Sequence, residues 1–173
     1  MPLPERGTVT GNDFPELPEL VENQEGLSMK IALGCDHGGY ELMQFVKTVL
    51  ERLGHTYEDF GCYSPESCDY PDFGEPAARA VAEGKCDRGI VICLTGIGIS
   101  ITANKVKGIR CAHCADCLQA ELTRRHNNAN MLAMGAGFTG KEMAQRMVEV
   151  FLSTEFEGGR HERRVNKMMA VEN

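Results

Sequence analysis

An apolar run over residues 90–93 ends on Cys93, and the turn Thr95-Gly96-Ile97-Gly98 follows at once, with a helix-like segment opening near Ser100. A strand, a tight loop and a helix start in that order leave backbone N–H groups pointing outward without internal partners, so the loop favours an anion. The same field stabilises a thiolate at the strand end. The chemistry to expect is a reactive Cys93 beside an anion-holding loop. A phosphatase of the Cys-x5-Arg type is excluded because Ile99 stands where the arginine must be. A dinucleotide fingerprint wants a third glycine where Ile101 stands, and no Gly-Lys-Ser/Thr follows the glycines as a phosphate-binding P-loop requires. A base role asks for less: a thiol near neutral pKa shuttles a proton between neighbouring carbons while loop amides hold the enediolate oxygen.

Further chemistry-bearing residues lie elsewhere in the chain. Asp36-His37 ends the first apolar run, and His126 stands with Asn127 and Asn128 before a late one, where a general acid/base role fits. Arg160, Arg163 and Arg164 follow Gly158-Gly159, an arrangement able to close around a phosphate, although a solvated helix face reads the same. Cys111, His113, Cys114, Asp116 and Cys117 have metal-like spacing. Residues 109–114 read as a strand, however, and residues three apart on a strand point to opposite faces, so Cys111 and Cys114 should diverge.

The elements that position these groups alternate. Strands are expected over 30–35, 56–60, 89–93, 109–114 and 131–134. Helices are expected over 40–53, over 77–82 entering through Pro76, over 100–106, 118–125 and 141–152, and a last, arginine-rich one over 160–170. In the 141–152 helix, Met143, Met147, Val150 and Phe151 are read as one apolar side. Such alternation implies a Rossmann-like open five-stranded parallel sheet flanked by helices, a three-layer α/β/α fold with its ligand beyond the carboxyl ends of the strands.

The chain's 173 residues suit one domain with a sizeable core. Residues 1–28 hold one Arg, six acidic residues and four of the seven prolines, and read as a flexible acidic tail; residues 29–173 form the domain. The net charge of −7 gives nucleic acid no basic face to bind. No apolar run is long enough to span a membrane and no secretory signal opens the chain, so a cytoplasmic protein with its eight cysteines reduced is expected.

The blocks MKIALGCDHGGYELM, CDYPDFG, GIVICLTGIGISITANKVKGIRC, RRHNNANMLAMG and FEGGRHERRVNKM together resemble the ribose-5-phosphate isomerase B family, from Met29 to about Met168. The resemblance implies interconversion of ribose 5-phosphate and ribulose 5-phosphate, in the non-oxidative pentose phosphate pathway, without metal or organic cofactor. It places Cys93 as the proton-shuttling base, and Thr95 with the amides from Leu94 through Gly96 and Gly98 to Ser100 as the enediolate-stabilising loop. His126 and Asp36 match the ring-opening pair, and Asn127 a sugar contact. His37, Arg160 and Arg164 match phosphate-gripping positions, and Tyr70 a pocket wall. It further implies a homodimer, in some members a tetramer, with His126 supplied across the interface. Leu94 departs from the family, which usually has glycine there. A second branch uses a glutamate later in the loop, where this chain has Ile99-Ser100-Ile101-Thr102, which assigns it to the cysteine branch. Allose- and galactose-6-phosphate isomerases are the neighbouring alternatives, and a thiol-rich metal or redox protein is the remote one.

Overall fold

The computed structural model describes residues 28–172; the acidic tail expected over 1–28 lies outside them except for Ser28. Strand β1 (Lys30–Cys35), helix α1 (Tyr40–Arg52), β2 (Thr56–Asp59), α2 (Pro71–Ala82), β3 (Arg88–Cys93) and α3 (Ile97–Ala103) form the first half. β4 (Cys111–His113), α4 (Cys117–Asn127), β5 (Met131–Gly135), α5 (Lys141–Ser153) and α6 (Arg160–Met169) complete it, with a short 3₁₀ turn over Ala170–Glu172. All pairings are parallel, in the order β2-β1-β3-β5-β4, as the alternating pattern requires.

Two apolar cores cover the two faces of the sheet. Ile31, Leu33, Ile90, Ile92, Leu132 and Met134 point to one face, where α1, α4 and α5 contribute Met43, Leu50, Ala120, Met147 and Phe151. Ala32, Val91, Cys93, Met131 and Ala133 alternate to the other, under Ala77, Val81, Ile99 and Ala103 of α2 and α3. Cys111 falls in the second core and Cys114 in the first, so the two thiols do diverge. Burial pushes Cys114 up to about 12 and Cys111 higher still, which keeps both as thiols at neutral pH.

Several boundaries differ from the expected ones for local reasons. α2 starts at Pro71, where a first-turn proline is tolerated, so Pro76 lies inside the helix rather than at its entry. α3 starts at Ile97 instead of Ser100 because Gly96 takes a left-handed backbone (φ 76°) and turns the chain directly into the helix. β4 is shorter than 109–114, since the Arg110 amide donates to the Asn130 side chain (2.8 Å) rather than to a strand. In α5 the buried side is Ala144, Met147, Val148 and Phe151; Met143 is exposed.

Phe151 is fully buried, and the guanidinium carbons of Arg88 and Arg124 lie 5.6 and 5.8 Å from its ring centroid. Phe151→Ala is expected to remove about 3–5 kcal/mol of unfolding free energy, read as a lower urea midpoint with unchanged slope.

Candidate active site

The thiol loop is built where β3, β1 and β5 end together. The β1–β3 register pairs Cys35 with Ile92, and the β3–β5 register pairs Cys93 with Gly135, so Asp36 and Cys93 emerge side by side at the carboxyl edge. The Gly96 amide donates to Cys93 Sγ (3.1 Å), and Thr95 Oγ1 stands 4.0 Å from the sulfur while accepting from the Ile97 amide (3.2 Å). Ser100 N–H bonds back to Gly96 O (3.3 Å), which leaves the Gly98 and Ile99 amides ahead of the first helical bond. The Ser100 hydroxyl itself turns inward and donates to Ile97 O (2.7 Å).

Close backbone approaches hold this loop. A Cβ on Gly96 would lie 2.7 Å from His113 Cδ2 and from the Met134 carbonyl carbon; one on Gly135 would lie 2.5 Å from Thr95 O. Ala136 and Gly137 amides donate to Cys93 O and Leu94 O, both at 2.9 Å, and strap the loop to the turn after β5. From the other side, the Tyr70 ring sits where a Gly98 Cβ would be, 2.6 Å from its nearest atom. Asp36 is buried, its amide donates to Ile92 O (3.2 Å), and its carboxylate accepts from the Gly39 amide (2.9 Å). His37 is exposed beside it, with Nδ1 accepting from the Cys68 amide (3.2 Å). Leu94 has no positive φ, so its backbone is in an ordinary region and its side chain is simply exposed.

The remaining expected residues stand elsewhere. His126 and Asn127 end α4, just before β5 begins, at the amino edge of the sheet. From Gly89, paired with Met131, to Cys93, paired with Gly135, the strands rise about 13 Å at ~3.3 Å per residue. One chain therefore does not bring His126 to its own Cys93. Arg124 locks the turn that carries His126, donating to Asn128 Oδ1 (3.0 Å) and Thr154 O (3.3 Å), and Asn128 closes the helix in a left-handed conformation.

α6 brings its arginines to this same edge. Gly158 and Gly159 both take positive φ (65° and 56°), turning the chain into α6 so that Arg164 joins His126, Asn127 and His161 around a cavity of about 340 Å³. Arg160 Nε donates to His161 Nε2 (3.3 Å). The expected residues thus form two groups: Asp36, His37, Tyr70, Cys93, Thr95, Gly96, Gly98 and Ser100 at one edge, and His126, Asn127, Arg160 and Arg164 at the other.

Three groups near these sites escaped the sequence reading. His113 packs on Gly96, hidden in a stretch considered only for metal. Glu157 and His161, four residues apart, flank His126; their helical spacing was the available signal. Among the described residues, His126, Glu157 and His161 are the one group of three whose metal-ligating atoms come together, within 4.8 Å of one another. They do not fit an ion as they stand. The two rings are stacked at 4.2 Å and 6°, so their in-plane lone pairs lie in two separate, nearly parallel planes and do not meet at one point.

A parallel α/β sheet with a thiol loop at its carboxyl edge and a His-Arg cluster at its amino edge defines a class that the comparisons identify. The chain belongs to the ribose/galactose isomerase family, whose pattern matches residues 31–168, and it is a sugar-phosphate isomerase. It is 47% identical over 145 residues to a putative sugar phosphate isomerase of Bacillus subtilis, covering 83% of this chain and 97% of the relative. It is 45% identical over 143 residues to ribose-5-phosphate isomerase B of Escherichia coli, covering 83% and 96%. The solved Clostridium thermocellum ribose-5-phosphate isomerase B is 51% identical and superposes with a TM-score of 0.82 over 83% of this chain and 97% of that one. Relatives at 40% identity include a D-erythrulose-4-phosphate isomerase of Pectobacterium atrosepticum (81% and 93% covered) and a galactose-6-phosphate isomerase subunit of Clostridium acetobutylicum (74% of each). No helix among the described residues is long and apolar enough to cross a membrane.

The two kinds of loop position predict losses of different size. Leu94→Gly should lower the melting temperature slightly, by up to about 1 kcal/mol of stability, because it relieves no strain and loosens the unfolded chain. Gly96→Ala should lower stability by about 1–3 kcal/mol and activity at least tenfold, since the added Cβ meets backbone at a left-handed position. Thermal melts of both variants check this; stabilisation by Leu94→Gly would show that the leucine is strained.

Proposed function

We propose that this isomerase interconverts ribose 5-phosphate and ribulose 5-phosphate, with residues 29–173 as a single catalytic domain. The observation that carries the reading is the Cys93 thiol, hydrogen-bonded by the Gly96 amide at the carboxyl edge of the sheet. The names of relatives 45–51% identical favour the five-carbon substrate. In the open-chain aldose, Cys93 takes the proton from C2, and the electron pair flows into an enediolate with its charge on O1. The Gly98 and Ile99 amides and Thr95 lie where that oxygen is stabilised. Cys93 returns the proton to C1, and the O2 proton passes to O1, giving the ketose. The residues present supply this proton transfer without a metal or organic cofactor.

Ring opening and phosphate binding fall to the second group. His126 moves the ring proton with Asp36, Asn127 holds the sugar, and Arg160, Arg164 and His37 grip the phosphate; Tyr70 walls the pocket. Because the height of the sheet separates the groups, a complete site needs two copies, with the partner subunit's His126 facing Cys93. Leu94, Ile97 and Ile101 are more than half exposed around the thiol loop, an apolar surface suited to a second chain. The unit proposed is a homodimer, alone or paired into a tetramer.

Cys93→Ala is expected to lower turnover of ribose 5-phosphate about 10²- to 10⁴-fold while the sugar phosphate still binds. Retained turnover would remove the base assignment. A coupled assay with ribose, allose, galactose and erythrose phosphates should give the highest kcat/KM for ribose 5-phosphate; a preference for a six-carbon phosphate would move the chain to the galactose side of its family. Exhaustive chelation should leave activity unchanged.

A further inference from the structure

The ring-opening histidine is held by a built neighbourhood. Glu157, in the segment between α5 and α6, donates its amide to Arg125 O (3.1 Å). Arg125 Nε and Nη2 both reach Glu157 Oε1 (2.6 and 2.5 Å), and Arg125 Nη1 reaches Glu121 Oε1 (2.7 Å). One carboxylate oxygen is thereby fixed. The other, Oε2, faces His126 Nε2 at 3.9 Å and His161 Nε2 at 3.5 Å.

His161 forms the back wall. Its side chain is 8% exposed against 35% for His126, and the two rings lie nearly parallel in a stack. A guanidinium nitrogen donates and does not accept, so the bond from Arg160 Nε places a lone pair on His161 Nε2 and its proton on Nδ1. This bond is one that the neutral ring makes. Burial first, then the charges of His126 and Arg160, hold His161 below the ordinary histidine range, and Glu157 opposes them only in part.

From this geometry we infer that Glu157 and His161 are positioning residues for His126, the carboxylate supporting its protonated form and the neutral buried ring fixing its plane. The inference rests on the ring-opening role proposed above. Opening the furanose breaks the C1–O4 bond and makes C1=O, with one proton leaving the O1 hydroxyl and one arriving at O4. A histidine serving that exchange passes through the imidazolium. Arg125 on its own helix and Arg160 and Arg164 on α6 all oppose that charge. The Glu157 carboxylate faces it, and a second imidazolium stacked behind it would repel it. A neutral His161 avoids that repulsion.

The test uses the full chain and separates the ring step from the proton shuttle. Turnover of ribose 5-phosphate needs both. Exchange of the C1 proton of ribulose 5-phosphate with solvent deuterium needs only Cys93, because that ketose, phosphorylated on O5, has no furanose ring to open. Glu157→Gln should move the His126-dependent limb of the kcat/KM profile for ribose 5-phosphate to lower pH by about half a unit or more, since a lost carboxylate favours the neutral ring. Its exchange rate should stay within about twofold of wild type. His161→Ala should lower kcat for ribose 5-phosphate about tenfold with exchange retained, and His161→Phe, which restores a flat buried ring, should recover most of it. Both His161 variants free Arg160 of its partner, so a shared rise in KM is expected and the kcat difference is the readout. The inference is overturned if the limb does not move in Glu157→Gln, if exchange falls in proportion to turnover, or if His161→Phe is no better than His161→Ala. Exchange that survives Cys93→Ala would instead overturn the thiol mechanism, leaving the pH-limb comparison to decide the fate of Glu157.

Discussion

The site depends first on how tightly the loop after β3 is pressed against the end of β5. Thr95 O passes where a Cβ on Gly135 would be, and the Gly96 backbone turns left-handed against the Met134 carbonyl. Only glycine permits both approaches. The two straps from Ala136 and Gly137 then fix Cys93 and Leu94 by their carbonyls, leaving the amides of the loop directed at the thiol and the space beside it. The geometry of the thiol loop is therefore a backbone property. The side chains of Leu94, Ile97 and Ile101 are left to meet something else.

The second constraint is the height of the sheet. A parallel strand delivers its carboxyl end to one edge, and a returning helix such as α4 delivers its last turn to the other. His126, at the end of α4, is fixed there by Arg124 and Asn128, as firmly as Cys93 is fixed by its glycines. The proposed isomerisation unites the edges by association, which turns the exposed apolar residues around Cys93 into contacts rather than liabilities. In the proposed site Arg160 has two tasks: it grips phosphate, and its Nε donates to His161 Nε2 behind His126.

Much of this was legible in the sequence, for definable reasons. The strands and helices announced themselves by apolar runs and helical spacing, and Cys93 by its position at the end of a buried run before a glycine turn. The family resemblance then supplied roles for His126, Asn127 and the arginines. Periodicity did not place the helix starts, because those were set by Pro71 at a first turn and by Gly96 at a positive φ. Leu94 gave doubt in the sequence that its ordinary backbone removes. Glu157 and His161 stayed hidden because their meaning lies in a stack and a clamp formed between α4 and the start of α6. Reading the rim of the sheet as one site was natural from the alternating pattern, yet four of the twelve expected residues end on the opposite edge.

The central claim is that one working site draws Cys93 from one chain and His126 from another. Subunit complementation addresses it most directly: Cys93→Ala and His126→Ala chains, each inactive on ribose 5-phosphate, are unfolded together, refolded as a mixture and assayed. In a two-fold dimer, half of the mixed population pairs unlike chains, and each such pair carries one site with both residues intact, so about a quarter of wild-type activity should return. No recovery from well-folded mixed dimers would contradict the shared site and require Cys93 and His126 to act from the same chain.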